Sequence, residues 1–201
     1  MGSKLIVATR NPGKLIELRR ILEGGRVPVD VGDLGEYPDM PEVAETGLTF
    51  TANALLKARA VAAFTGLPAV ADDSGLCADA RNGMPGVLSA RWSGRHGDDD
   101  ANLRLVLGQM ADIPAEHRGA QFACAAALVL PSGTEHVTEG LLEGSLTTAP
   151  RGTNGFGYDP IFVPEGYQVT TAEMSAADKD KISHRGRALR ALAPIIAALL
   201  G

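Results

Sequence analysis

The sequence predicts an α/β fold, and three observations point to this class. Short apolar segments rich in Val, Ile and Ala alternate with longer segments in which Leu and Ala recur at helical spacing. Several of the helical segments begin at a capping residue, and one of them is closed by Gly66. Residues 120–130 and 135–142 flank a Pro-Ser-Gly turn, which predicts a long antiparallel hairpin. We therefore expect the 201 residues to form a sheet with helices packed against it.

The first strand is predicted at residues 4–9, and apolar residues recur at helical spacing over residues 14–22. Asn11 suits the N-cap and Pro12 the first position of this helix, so the helix should begin there. The free N–H groups of such a helix start favour an anion, and the hydroxyl of Thr9 and the ammonium of Lys14 would add to that preference. The segment lacks the Walker A pattern. Phosphate binding and an ordinary strand-to-helix turn both remain open here.

The next helix carries polar side chains along one face. After a second predicted strand at Val27–Val31, Thr49 is expected to cap a helix that runs to about Phe64. Phe50, Asn53 and Lys57 share one stripe of this helix. The stripe is either a solvated edge or the lining of a polar pocket beside Asp73.

Two adjacent carboxylates, Asp72 and Asp73, follow the apolar run Leu67–Val70. We expect this strand to end at the acids and another strand to occupy Leu76–Ala80. Because ligands of α/β proteins bind at strand tips, the acids would then belong to a binding site. The alternative is that both acids are turn residues that bond to their own backbone.

The second half of the chain contains a glycine-rich segment at 152–160. Its glycines would let the backbone lie against a planar ligand on which Phe156 or Tyr158 stacks, or the segment is a tight loop anchored by its aromatic ring. The last helix, capped by Ser183, places His184 and Arg185 in its first turn, where cations are unfavourable unless a polar group compensates. The other predicted elements are a long loop at 81–97, a helix capped by Asp98 and Asp99, a strand at 161–163 and a short helix capped by Ser175.

Composition excludes several classes of function. A net charge of -5 and a pI near 5.4 argue against a nucleic-acid-binding surface. The sequence has no apolar run long enough to cross a membrane and no signal-peptide pattern, so we expect a cytoplasmic protein. Cys77 and Cys124 are predicted to be reduced core residues rather than zinc ligands, because they are far apart and belong to no Cys-x-x-Cys pair.

These separated motifs, taken in order, resemble the family of inosine/xanthosine triphosphate pyrophosphatases, which remove non-standard purine nucleotides. The resemblance extends through nearly the whole chain. The motifs are Thr9-Arg10-Asn11-Pro12-Gly13-Lys14, Glu45-Thr46-Gly47-Leu48-Thr49-Phe50, Asn53-Ala54, Lys57-Ala58, Ala71-Asp72-Asp73-Ser74-Gly75-Leu76, Phe156-Gly157-Tyr158-Asp159-Pro160 and Ser183-His184-Arg185-Gly186.

The resemblance implies an α/β fold with an elongated mixed sheet flanked by helices. It also implies one two-lobed domain over residues 1–201, a nucleotide cleft between the lobes, dependence on Mg²⁺ and a homodimer. Asp73 would be the general base and a metal ligand, and Glu45 and Asp72 would help to hold the metal. The implied substrate contacts are Thr9, Arg10, Asn11, Pro12, Gly13, Lys14, Lys57, Ser74, Phe156, Gly157, Tyr158, Asp159, Lys179, His184 and Arg185. Arg10 departs from the small residue common in bacterial relatives.

The function implied is hydrolysis of ITP, dITP and XTP to the monophosphate and pyrophosphate. One alternative is a nucleotide sensor without turnover, which the acids disfavour because carboxylates repel a triphosphate unless a metal bridges them. Another is a pyrophosphatase for modified pyrimidine nucleotides. An aspartyl-phosphate phosphatase would need Asp-x-Asp, and Asp72-Asp73-Ser74 lacks that spacing.

Overall fold

The computed structural model describes residues 3–10 and 12–201. Within these residues, seven strands form one sheet, and the α/β class predicted from the sequence is confirmed. The strands are β1 Ser3–Val7, β2 Val29–Asp33, β3 Ala69–Ala78, β4 Met84–Pro85, β5 Gly119–Val129, β6 Glu135–Leu146 and β7 Phe162–Pro164. The helices are α1 Pro12–Gly24, α2 Phe50–Thr65, α3 Asp99–Gln109, α4 Ala176–Ile182 and α5 His184–Leu200.

The sheet is mixed, as the family resemblance implies. Its strand order is β2-β1-β3-β5-β6-β7, and β4 pairs with β3. β1 is parallel to both β2 and β3, whereas β4 is antiparallel to β3 and β7 is antiparallel to β6. The parallel strands require crossover connections, which α1 and α2 supply.

The acidic segment differs from its prediction. Instead of one strand that ends at Asp72 and a second that begins at Leu76, β3 runs without interruption from Ala69 to Ala78. The prediction was wrong because Asp and Gly are poor strand formers only on average, and packing and burial override that preference. Both carboxylates have cationic partners in the fold, so the strand can carry them through its middle.

The predicted helix boundaries agree with the structure better than the predicted end of this strand does, because capping is a local interaction. Thr49 caps α2 by accepting a hydrogen bond from the Ala52 N–H at 3.1 Å. Gly66 ends that helix in the left-handed conformation, with φ of 68°. Asp98 and Ser175 cap α3 and α4 as predicted. None of the helices in the described part of the chain has both the length and the apolar character that a membrane span needs.

The chain divides into two compact units. The first consists of residues 1–73, 124–140 and 185–201. Its strands have apolar side chains on both faces: Leu5 of β1 packs in a cluster with α1 and α5, whereas Ile6 packs with α2. Because side chains alternate along a strand, odd and even positions of β3 must also face different helices.

The second unit consists of residues 74–123 and 141–184. Its core includes Phe122 and Phe162, whose ring centroids lie 4.5 Å apart. Part of the loop predicted at 81–97 packs closely on β3, because Ser89 Oγ accepts a hydrogen bond from the Leu76 N–H at 2.9 Å. A Cβ at Gly75 would lie 2.3 Å from Ser89 Oγ, so this close packing requires glycine. One two-lobed domain with a cleft stays a prediction.

Candidate active site

The carboxylate of Asp73 lies on the face of β3 that packs against α2. It is buried, with 7% of the residue exposed. Asn53 Nδ2 donates a hydrogen bond to Asp73 Oδ2 at 3.1 Å, and Lys57 Nζ donates to Asp73 Oδ1 at 3.2 Å. The polar stripe of α2 therefore lines a pocket beside Asp73, which was one of the two interpretations of its spacing.

Lys57 joins two carboxylates. Its Nζ also donates to Glu45 Oε1 at 2.6 Å. Glu45 and Asp73 thus share one ammonium group, and this small cluster carries a net negative charge when both acids are ionised. Such an arrangement can accept a further cation or the proton of a bound water.

Burial raises the pKa of the Asp73 carboxyl, and the nearby charge of Glu45 adds to this shift, while Lys57 and Asn53 oppose it. Burial alone would lower the pKa of the Lys57 ammonium, but attraction by Asp73 and Glu45 raises it overall. Lys57 therefore stays charged. A carboxylate with a raised pKa is a stronger base than a free aspartate, which is the property a general base needs.

Asp72 faces the opposite side of β3. Its Oδ2 accepts hydrogen bonds from Lys14 Nζ at 2.8 Å and from Arg185 Nε at 3.0 Å. Burial would raise the pKa of this carboxyl, but Lys14 and Arg185 together hold it well below its usual range. Asp72 and Asp73 are adjacent in sequence yet contact different helices, because successive side chains of a strand point to opposite faces.

Arg185, the second residue of α5, lies in a buried ionic environment, which explains how a cation is tolerated in the first turn of that helix. Besides Asp72, it approaches Glu17, whose Oε2 lies 3.8 Å from Arg185 Nη1. Burial would lower the pKa of the guanidinium, but the attraction of Asp72 and Glu17 raises it. Neither Glu17 nor its role was predicted from the sequence.

The predicted phosphate-binding segment follows β1. Helix α1 begins at Pro12, followed by Gly13, as expected, and Asn11 lies outside the described residues. Thr9 and Arg10 line a depression of about 330 Å³ that also includes Asp33 and Gly35. Arg10 Nη2 donates to the Met40 carbonyl at 2.9 Å, so this side chain holds a loop of the first unit.

A second group of predicted site residues lies in the other unit. Asp159 is buried, and its Oδ2 accepts from the Phe156 N–H at 2.8 Å and from Lys179 Nζ. Its Oδ1 accepts from Thr171 Oγ1 at 2.8 Å. Phe156 itself is 58% exposed, and Lys179 Nζ lies 5.2 Å from its ring centroid. The fold thus presents an aromatic ring to solvent on a loop fixed by a buried carboxylate, which suits a stacking surface.

The remaining predicted contacts have mixed environments. The Tyr158 hydroxyl donates to the Ser89 carbonyl at 2.8 Å, and burial raises its pKa. The Gly157 N–H donates to Asp99 Oδ2 at 2.9 Å. The His184 ring stacks on Phe122, with centroids 4.9 Å apart. Ser74, on β3, is half-buried. Their roles in substrate binding stay predictions, as do those of the other predicted site residues.

Two carboxylates of the first unit suit a metal site. No group of three His, Cys, Asp or Glu side chains in residues 3–10 and 12–201 is arranged for a metal ion. Mg²⁺, however, is usually held by one or two carboxylates together with substrate phosphates and water. Glu45 and Asp73, already bridged by one cation, provide such a pair. Asp72 contacts Lys14 and Arg185 on the other face of the strand, and its predicted role as a metal ligand stays a prediction.

Comparison with known proteins gives a consistent result over the whole chain. The sequence profile described as the Ham1 family matches residues 5–195. A dITP/XTP pyrophosphatase of Streptomyces coelicolor is 62% identical over 199 residues, which cover 99% of this chain and 100% of the relative. Another, from Mycobacterium bovis, is 54% identical over 198 residues, which cover 98% and 97%.

Solved structures agree with these sequence matches. The crystal structure of a nucleoside-triphosphatase / dITP/XTP pyrophosphatase from Mycobacterium abscessus is 59% identical, with a TM-score of 0.80 over 95% of this chain and 99% of that one. A HAM1 protein from Coxiella burnetii is 38% identical, with a TM-score of 0.90 over 98% and 99% of the two chains.

Proposed function

This chain belongs to the Ham1 family, and we propose that it hydrolyses ITP, dITP and XTP to the monophosphate and pyrophosphate. The observation that carries the proposal is the buried Asp73 carboxylate, whose pKa is raised by burial and which shares Lys57 with Glu45. The two relatives are named dITP/XTP pyrophosphatases, and the matches cover 100% and 97% of their lengths. Their names support the same substrate class.

In the proposed reaction, Asp73 accepts a proton from a water molecule. The water oxygen forms a bond to phosphorus as the α–β phosphoanhydride breaks, and pyrophosphate carries away the bridging oxygen. Mg²⁺, held by Glu45 and Asp73, would supply positive charge for the phosphate oxygens. Lys57 keeps the two acids close together and stays protonated. Phosphoryl transfer needs mainly positioning and charge neutralisation, which this cluster can provide.

Phosphate binding would draw on the cations of the first unit. The first turn of α1, which begins at Pro12, would present backbone N–H groups to an anion, and Lys14 lies in the same turn. Lys14 Nζ is bonded to Asp72, so binding a phosphate there means sharing or exchanging that contact. We expect the exchange to be possible because the ammonium is a compact group on a flexible stem.

Selectivity would come from the purine edge, because sugar and phosphates are common to all nucleotides. Inosine and xanthosine present a carbonyl where adenosine presents an amino group, so a site of hydrogen-bond donors favours the first two. Arg185 and His184 are the proposed donors, and the exposed Phe156 ring is the proposed stacking surface. Exclusion of guanosine would fall to the loop formed by residues 156–159.

We also propose that the protein is a Mg²⁺-dependent homodimer of the cytoplasm, as the family resemblance implies. Light scattering coupled to size-exclusion chromatography measures the oligomeric state directly. A monomer at micromolar concentration would contradict the homodimer without affecting the proposed reaction.

One assay tests the function. Pyrophosphate release is measured from ITP, dITP, XTP, ATP and GTP, with and without Mg²⁺, for the wild type and for Asp73→Asn. We expect strong preference for the first three and a rate loss of about 10² to 10⁴ in the variant. Tight ITP binding without product would instead identify a sensor. Turnover of modified pyrimidine triphosphates but not of ITP would favour the pyrimidine alternative.

A further inference from the structure

Asn53 lies in the first turn of α2 and is fully buried, with 0% of its surface exposed. Its Oδ1 accepts a hydrogen bond from the Gly47 N–H at 2.7 Å. A backbone N–H can only donate, so this contact determines which amide atom is the oxygen. The NH₂ group must then point to the other side, where it donates to Asp73 Oδ2.

The same side chain connects Asp73 to the loop that carries Glu45. Gly47 follows Glu45 by two residues, and a Cβ at Gly47 would lie only 2.7 Å from Ala52 Cβ and from Asn53 Oδ1. The loop therefore lies directly against the start of α2. The buried Asn53 amide therefore bonds to both the loop that carries Glu45 and the Asp73 carboxylate on β3, and so holds the two at a defined separation.

We propose that Asn53 is a positioning residue for the hydrolysis, which rests on the function proposed above. Among residues 3–10 and 12–201, each oxygen of Asp73 has one side-chain donor, Lys57 Nζ at Oδ1 and Asn53 Nδ2 at Oδ2. Two donors fix the plane of a carboxylate, whereas one leaves it free to rotate. Asn53 acts through Asp73 and the Glu45 loop, and its burial keeps it from the nucleotide.

The chain offers a matched control in the second unit. Asn102 is also a buried helical asparagine, 1% exposed, and its Oδ1 accepts from the Ser93 N–H at 2.7 Å. Within the described residues, however, its Nδ2 has no hydrogen-bond partner. The two asparagines therefore share burial and the loop contact, and differ in whether the amide reaches a carboxylate.

The experiment compares Asn53→Asp, Asn53→Ser and Asn102→Asp. Aspartate keeps the shape and the acceptor for Gly47 but removes the donor to Asp73, and serine is too short to span both contacts. We expect both Asn53 variants to lower kcat for ITP by about 10- to 100-fold, the range found when a supporting partner of a site is lost. KM should change little, because the contact serves the reacting geometry. Asn102→Asp should reduce thermal stability and leave kcat near the wild-type value.

Each outcome decides the proposal. Folded Asn53 variants with near-normal kcat would overturn it, as would an equal loss of kcat in Asn102→Asp. If Asn53→Asp does not fold, Asn53→Ser decides the matter. If neither folds, Asn53 is a scaffold residue and the positioning role is rejected. A wild-type protein that releases no pyrophosphate from ITP, dITP or XTP would instead refute the function itself.

Discussion

Replacing Asp72 and Asp73 by asparagine, one at a time, should separate stability from catalysis. Asp72 is the shared anion of two cations, Lys14 and Arg185. In Asp72→Asn both cations lose the Asp72 charge, although Arg185 keeps Glu17, while the side chain stays in place. Asp73→Asn leaves Lys57 bonded to Glu45 at 2.6 Å, so no cation loses its last partner.

The size of the effect follows from burial. Removing one partner of a buried ion pair costs about 3–5 kcal/mol. We expect the lower end for Asp72→Asn, because the Lys14 side chain is 22% exposed and Arg185 retains Glu17 at 3.8 Å. A loss of about 3 kcal/mol corresponds to a fall in Tm of about 6 to 12 °C for a chain of this size. For Asp73→Asn we expect a change within about 1 kcal/mol.

The pH dependence of the two variants should have opposite signs. The pKa of Asp72 is lowered in the fold, so its ionised form stabilises the protein above its unfolded pKa, and that stability is lost as pH falls through the folded pKa. The difference in unfolding free energy between the wild type and Asp72→Asn should therefore become smaller below about pH 4. The pKa of Asp73 is raised, so its stabilising contribution is lost as pH rises, and Asp73→Asn should gain relative stability toward neutral pH.

Both predictions, on stability and on its pH dependence, can be tested by thermal and urea unfolding of the two variants from pH 3 to pH 8. Pyrophosphate release is measured in parallel. Asp73→Asn should unfold near the wild-type temperature while losing most activity. An unchanged Tm for Asp72→Asn, or an equal loss of stability in both variants, would refute the assignment of the two carboxylates to different sides of β3.

Three further predictions concern residues whose contacts the structure defines. Arg118 is buried and donates to the carbonyls of Met110, Leu146 and Thr147. Arg118→Met should therefore lower the free energy of unfolding by at least about 2 kcal/mol. Arg104 is exposed, so Arg104→Met should change it very little. Gly75→Ala should destabilise by about 1–3 kcal/mol through its clash with Ser89, while Gly108→Ala, with open space at its Cβ, should not. Arg185→Lys keeps a cation beside Asp72 but loses the planar donors, so kcat/KM should fall more for ITP than for ATP; an equal loss on both would place Arg185 in the scaffold.

Much of the fold was predictable because its determinants are local. Thr49, Asp98 and Ser175 cap helices through bonds that span only a few residues. The apolar strands and the Pro-Ser-Gly turn likewise depend on neighbouring residues. The spacing of Asn53 and Lys57 also placed an amide and an ammonium on one face of α2, and both contact Asp73.

Local patterns misplaced the end of the strand at Asp72. The partners that neutralise its carboxylates are far away in sequence: Lys14 and Arg185 for Asp72, and Lys57 for Asp73. Without them, Asp-Asp-Ser-Gly resembles a turn. Helices packed on both faces of β3 supply these cations and make a continuous strand possible.

By itself, the sequence determined the α/β class, the helix starts and the identity of the acids, since each depends on composition or on short-range spacing. Only the tertiary structure decided which partners each acid has. Asp73 contacts Asn53 and shares Lys57 with Glu45. Asp72 accepts hydrogen bonds from Lys14 and Arg185. The physical reason is that adjacent side chains of a strand point to opposite faces, and the packing of helices determines which charged side chains lie against each face.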